Sequence, residues 1–359
     1  MTDVRTVFDG IAELSVRTER LVANVLEREA ETAAEAETVV FVHGNCSSSL
    51  FFQPVMLRLP VQLRALAVDL RGFGGSETLP VDATRGVRDF SDDVWSVIDA
   101  LELGRVHLVG WSMGGGVVLQ QLLDRSDSVA SVTLISPVSP YGFGGTAADG
   151  SRLTDDDAGV GAGAANPDFV ARLADGDRTD DAPTSPRTVF RSSYVAPGYS
   201  GEFEDVWVES MLTTVTGAEN YPGDAVESPN WPGMAPGPRG VLNTMAPKYF
   251  DVTGIVDLPQ TPPILWIHGT RDAIVGDETF FDLNTLGKAG VVPGWPGEDV
   301  APPQPMLAQT RAVLERYANA GGSYRELALP DCGHSAHIEY PDTVAEAVVE
   351  LVASSRPSA

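Results

Sequence analysis

Val106-His107-Leu108-Val109-Gly110-Trp111-Ser112-Met113-Gly114-Gly115-Gly116-Val117-Val118-Leu119-Gln120-Gln121-Leu122-Leu123 is the stretch whose reading decides the fold. Its first four residues form a short apolar run, as in a strand buried on both faces. From Gly115 onward the apolar density is that of a helix. Between the two, Gly110-x-Ser112-x-Gly114 implies a turn so sharp that the serine must take strained backbone angles. Glycines at 110 and 114 remove the Cβ atoms that would collide there. The order strand, Gly-x-Ser-x-Gly, helix describes a nucleophile elbow, with a hydroxyl held clear of the sheet edge above a helix N-terminus. Glycine and serine are common, so the pattern is weak alone, and the rest of the chain tests it.

Working outward, alternating apolar positions over Ile11–Arg17 and Leu21–Leu26 predict two opening strands. A polar, Ala/Glu-rich stretch, Glu27–Glu37, separates them from the buried-strand run Thr38-Val39-Val40-Phe41-Val42. Leu66–Asp69 reads as a further strand and Val87–Leu101 as a helix, with Val87, Val94, Ile98 and Leu101 on one face. After the elbow come a strand at Val129–Ile135 and, much later, strands at Pro263–Ile267 and Tyr324–Leu329. Helices are expected at Met306–Tyr317 and from Thr343 to Val352. Strands alternating with helices predict an α/β fold, a mostly parallel twisted sheet of about eight strands covered on both faces.

The rhythm breaks after Ser136. From Pro137 to Leu258 the chain is rich in Gly, Pro, Ser and Asp, yet it carries Tyr141, Phe143, Phe169, Phe190, Tyr194, Tyr199, Phe203, Trp207, Tyr221 and Trp231. Disordered segments are poor in aromatics. Residues 137–258 are therefore read as an ordered, irregular cap inserted in a core made of 1–136 and 259–359. A second Pro/Gly-rich excursion spans Gly276–Pro305.

The chain of 359 residues is 43% hydrophobic, enough for one large domain, and its net charge is −26. That charge repels nucleic acid and anionic membranes, so neither is an expected partner. Met1-Thr2-Asp3-Val4-Arg5 shows no basic region followed by an apolar core, so no signal peptide is expected and the chain reads as cytoplasmic. Cys46 and Cys332 give neither a disulfide framework nor metal-ligand spacing. Two free thiols and no metal are expected.

A serine hydroxyl needs a base to take its proton, and the base needs an acid to orient it. Asp272 follows one strand in His268-Gly269-Thr270-Arg271-Asp272, and His334 follows another in Asp331-Cys332-Gly333-His334. Asp257 and Asp277 are the competing acids, and the strand-end position favours Asp272. His337 competes with His334 but reads as a pocket-edge or surface residue. His43, His107 and His268 read as packed, hydrogen-bonded groups.

With the order Ser112, Asp272, His334 in place, the chain resembles a capped, serine-nucleophile α/β-hydrolase over about Ile11–Val352. His43-Gly44-Asn45 resembles that family's oxyanion loop, Asp69-Leu70-Arg71-Gly72-Phe73-Gly74-Gly75-Ser76 its structural turn, and Gly333-His334 with Glu339 and Pro341 its histidine segment. The resemblance implies that the N–H groups of Asn45 and Met113 hold the oxyanion. It further implies hydrolysis of a carboxylic ester or lactone through an acyl-serine, without a cofactor. The same triad also runs carbon–carbon bond hydrolysis of diketones, amide hydrolysis and perhydrolysis, and some proteins of this fold are ligand-binding receptors with little turnover. Trp111, Val138 and Tyr141 are the expected substrate contacts, Tyr141 because the segment leaving the Val129–Ile135 strand must pass close to Ser112, the alternative being that Tyr141 only packs the cap against the sheet. The partner this reading implies is a small-molecule substrate, expected to be apolar.

Overall fold

The computed structural model describes residues 4–31 and 36–356 of the chain. Part of the Glu27–Glu37 stretch, residues 32–35, lies outside the described residues. Glu27 and Arg28 themselves complete a strand, because their backbones pair with Leu66 and Ala65.

One sheet of eight strands carries the molecule. The strands are β1 (Ala12–Arg17), β2 (Val22–Arg28), β3 (Thr38–Val42), β4 (Arg64–Val68), β5 (Val106–Trp111), β6 (Val129–Ile135), β7 (Ile264–Gly269) and β8 (Tyr324–Leu329). Their spatial order is β1-β2-β4-β3-β5-β6-β7-β8. β2 pairs antiparallel with both β1 and β4, and every pairing from β4 to β8 is parallel. The central strands β3, β5, β6 and β7 are buried along their whole length, which is why they read as continuous apolar runs. The outermost strands β1 and β8 keep exposed positions.

Parallel neighbours require crossover connections, and the amphipathic segments supply them. Helix α1 (Arg88–Ala100) buries Phe90, Val94, Trp95, Val97 and Ile98. Helix α2 (Met113–Asp124) follows the elbow and is buried along almost its full length. Near the C-terminal end of the chain, α5 (Met306–Asn319) and α6 (Pro341–Ser354) flank β8 in sequence. Chain order reverses between β3 and β5, so their carboxyl ends open a crevice at a topological switch point, where open α/β sheets place ligands.

The insertion is ordered, built from short pieces: α3 (Pro167–Ala174), α4 (Glu204–Leu212), single-turn helices and two-stranded ribbons. Its aromatics serve two ends. Trp207 and Phe190 are buried in the common core, while others face a cavity over the crevice. The second excursion packs beside the insertion, with Trp231 donating its indole N–H to Pro293 O at 2.9 Å.

Candidate active site

Ser112 directly follows β5 with φ 57° and ψ −122°, a positive-φ conformation that costs a non-glycine residue free energy. The turn is pinned from both sides. Ser112 N donates to Ile135 O at 3.0 Å, and Ser112 O accepts from Gly115 N at 2.9 Å and Val138 N at 3.1 Å. A Cβ on Gly110 would stand 2.2 Å from Gly114 O, and one on Gly114 would stand 2.1 Å from Val42 O. Both glycines are therefore required by close backbone approach.

Asp272 leaves the end of β7 and meets His334, which follows β8. Its Oδ2 lies 2.8 Å and its Oδ1 3.0 Å from His334 Nδ1. Oδ1 also accepts from the backbone N–H groups of Ile274 at 2.8 Å and Val275 at 2.9 Å, which fix the carboxylate plane. The two side chains are 2% and 1% exposed. A carboxylate on Nδ1 selects the tautomer with the proton there, leaving Nε2 a lone pair. Gly333 N donates to Glu339 Oε1 at 2.8 Å, which anchors the histidine loop. Asp257 lies in a 3-10 turn, and Asp277 accepts from Leu307 N and Ala308 N at the start of α5. Asp272, of the three acids, is the one bonded to the imidazole.

The loop after β3 approaches the serine so closely that a Cβ on Gly44 would stand 2.7 Å from Ser112 Cβ. His43 is fully buried; its Nδ1 bonds Gly44 O at 2.8 Å and its Nε2 accepts from Leu70 N at 3.0 Å. Burial pushes its pKa down and keeps it neutral. Asp69 ties the neighbouring turns together, accepting from Ser49 N at 2.7 Å, Gly75 N at 2.8 Å and Asn24 Nδ2 at 2.9 Å. Arg71 forks onto Asp93 at 2.6 and 2.8 Å. Asn45 borders the cavity. Met113 is the first residue of α2, so its N–H has no intrahelical acceptor.

Ser112 and His334 open into one cavity of about 390 Å³. Val138, Phe143, Val160, Phe169, Leu242 and Met245 supply apolar wall from the insertion, and Phe280, Phe281, Leu283 and Leu286 supply it from the second excursion. The described hydrogen bonds include none between Ser112 Oγ and His334; in unliganded enzymes such bonds are often long and tighten with substrate. No group of three or more His, Cys, Asp or Glu among the described residues could hold a metal ion.

Of the expected substrate contacts, Val138 faces the cavity. Trp111 does not: it is fully buried, stacked on Phe51 at 5.2 Å, and its Nε1 donates to His334 O at 2.9 Å. Its ring packs behind the cavity wall, beside His334 at 5.4 Å and Tyr194 at 5.8 Å. Tyr141 also turns away, packing over Gly150 with its hydroxyl 3.4 Å from Arg316 Nη1. Phe143, two residues on, lines the cavity instead. His337 is neither at the pocket edge nor at the surface: it is fully buried 4.6 Å from Trp111, and burial holds its pKa well below the usual histidine value. His107 bonds Ser131 Oγ at 2.8 Å and His268 bonds Glu326 at 2.9 Å. Cys46 and Cys332 are both free and buried, and burial raises the Cys46 thiol to about 12. The cavity residues of 276–305 had no sequence signal beyond paired aromatics at Phe280-Phe281.

A strained serine at a strand-to-helix elbow, with a carboxylate-oriented histidine at the carboxyl edge of a parallel sheet, defines the hydrolase class of α/β folds. The model of the Alpha/beta hydrolase family matches residues 39–347, and the chain belongs to that family. It is 37% identical over 112 residues to RutD of Variovorax paradoxus, whose name describes a carbamate hydrolase, covering 31% of this chain and 42% of that protein. It is 30% identical over 107 residues to carboxylesterase YbfK of Bacillus subtilis, covering 30% of this chain and 36% of that one. The chain thus spans less than half the length of these relatives. Among solved structures, the esterase EaEST of Exiguobacterium antarcticum superposes with a TM-score of 0.57 at 18% identity, over 94% of this chain and 98% of that one, a likeness of fold.

Proposed function

We propose that the protein is a serine hydrolase that cleaves an apolar carboxylic ester or lactone through an acyl-serine. The observation that carries this reading is that Ser112 and the Asp272-oriented His334 share one mostly apolar cavity. In the first half-reaction Ser112 Oγ bonds the carbonyl carbon while its proton passes to His334 Nε2. His334 then returns the proton to the leaving alkoxide as the carbon–oxygen bond breaks. Asp272 holds the tautomer and stabilises the imidazolium. The N–H groups of Asn45 and Met113 receive the oxyanion, each donor contributing about 3 kcal/mol in such sites. In the second half water attacks the acyl group with His334 as base, and Ser112 is regenerated. Residues 137–258 act as the cap over this chemistry.

The test is a panel of aryl esters of increasing acyl length, with lactones and a diketone, run on wild type and Ser112→Ala. Multiple turnovers of an ester or lactone with an initial burst, reduced by at least about 10³-fold in Ser112→Ala, support the reading. Turnover of the diketone alone assigns carbon–carbon hydrolysis instead. Tight binding without turnover assigns a receptor.

A further inference from the structure

One cap segment touches both catalytic loops. Residues Phe190–Tyr194 form a π-helical turn, a rare geometry frequent at functional sites. At its end the Tyr194 hydroxyl donates to Asn45 O at 3.0 Å, and Cys46 O lies 3.5 Å away. Two residues on, Ala196 N donates to Glu339 Oε2 at 2.9 Å, while the other oxygen of Glu339 holds Gly333 beside His334. The backbones are so close there that a Cβ on Gly333 would stand 2.5 Å from Ala196 N. Tyr194 is buried, and its ring meets Trp111 at 5.8 Å and His334 edge-on at 6.3 Å.

The partner it holds is strained. Cys46 has φ 45°, a conformation that a non-glycine residue keeps only when its surroundings over-determine it. Relaxation of that residue would swing the Asn45–Cys46 peptide and, with it, the adjoining Asn45 N–H.

We propose that Tyr194 is a positioning residue for the reaction: its hydroxyl, carried by the cap, fixes the Asn45–Cys46 backbone so that the Asn45 N–H is aimed at the developing oxyanion. The proposal rests on the acyl-serine reading above. It makes cap seating and oxyanion stabilisation one event, since the segment that closes over the cavity also sets the donor. Burial keeps the phenol protonated far above neutrality, so the donor is present at every working pH.

Tyr194→Phe removes the O–H and keeps the ring with its packing. On an aryl acetate, kcat is expected to fall roughly ten-fold, the worth of about one buried hydrogen bond with some margin, with KM changed less than about two-fold. The inhibition constant of an aryl trifluoromethyl ketone, which forms a tetrahedral oxyanion adduct, should weaken by the same factor as kcat/KM, at an unchanged pH profile. A thermal midpoint lowered with kcat intact, or KM raised with kcat intact, would show mere packing and overturn the proposal. So would loss of kcat without loss of ketone affinity. Because the ketone reads the oxyanion site directly, the result does not depend on high residual turnover. Failure of the underlying reading looks different: wild type itself would neither turn over the ester nor bind the ketone, and both would fall together.

Discussion

Asp272 accepts the N–H groups of Ile274 and Val275 while facing His334 Nδ1, so its orientation is set before any substrate arrives. Asp272→Asn presents an amide to that nitrogen, favours the wrong tautomer and should reduce kcat by up to about 10⁴-fold with the fold intact. Steady-state rates beside a circular-dichroism melt check this, and a near-silent Asp272→Asn would displace Asp272 from its role. Tyr141 carries the opposite expectation. Its ring packs over Gly150 and its hydroxyl faces Arg316, away from the cavity. Tyr141→Ala should lower stability by about 2 kcal/mol and leave the ranking of acyl lengths unchanged. A changed ranking would place the ring back in the substrate's path. At this scale the sequence placed Ser112, Asp272 and His334 each at a strand end with a local signature, and the fold sets Asp272 on His334 Nδ1 and opens Ser112 and His334 into one cavity. The sequence did not locate the side chains of Trp111, Tyr141 and His337. Which way a ring points depends on strand pleat and on packing partners distant in sequence.

At the scale of elements, the elbow is held by backbone contact between β3, β5 and α2. Three successive glycines open α2, although each costs a helix about 1 kcal/mol relative to alanine. A Cβ at 114 would meet Val42 O at 2.1 Å, at 115 Pro137 Cβ at 2.5 Å, and at 116 Val138 Cγ1 at 2.7 Å. Gly114→Ala should therefore cost more than about 3 kcal/mol, because the obstacle is backbone that cannot step aside. Gly104 has φ 66° but open space around it, so Gly104→Ala should cost only about 1–2 kcal/mol of conformational strain. Urea midpoints of the two variants test the distinction, and equal costs would contradict it. The strands of the sheet were readable because burial on both faces writes continuous apolar runs. The aromatics of 137–258 argued for order in that segment, but its short helices and ribbons had no sequence signal. Contacts such as Trp231 to Pro293 join residues distant in sequence and carry no local period.

Taken whole, the molecule holds several histidines neutral inside it. His107 is lowered from 6.5 to about 4 by burial, and His43 and His337 are lowered by burial as well. A histidine depressed in the folded state leaves the unfolded chain binding more protons below about pH 6.5, so its contribution to stability is whole above that pH and declines towards pH 4. Asp282, raised by burial to about 6, acts in the opposite sense, because its native form takes up a proton first. Comparing a variant with wild type isolates one group: the loss of urea midpoint from about pH 7.5 to about pH 5 should be smaller in His107→Gln. An equal loss would show that His107 does not contribute. The net charge of −26 was legible in composition alone, while the cavity, lined from the insertion and the second excursion, required the fold. If Ser112 alone is activated, an aryl phosphonate will find it, and intact and peptide mass spectrometry will read where the label sits. One adduct per chain is expected, on Ser112, abolished by Ser112→Ala and slowed in Asp272→Asn. Adducts elsewhere, or undiminished labelling of the alanine variant, would contradict it.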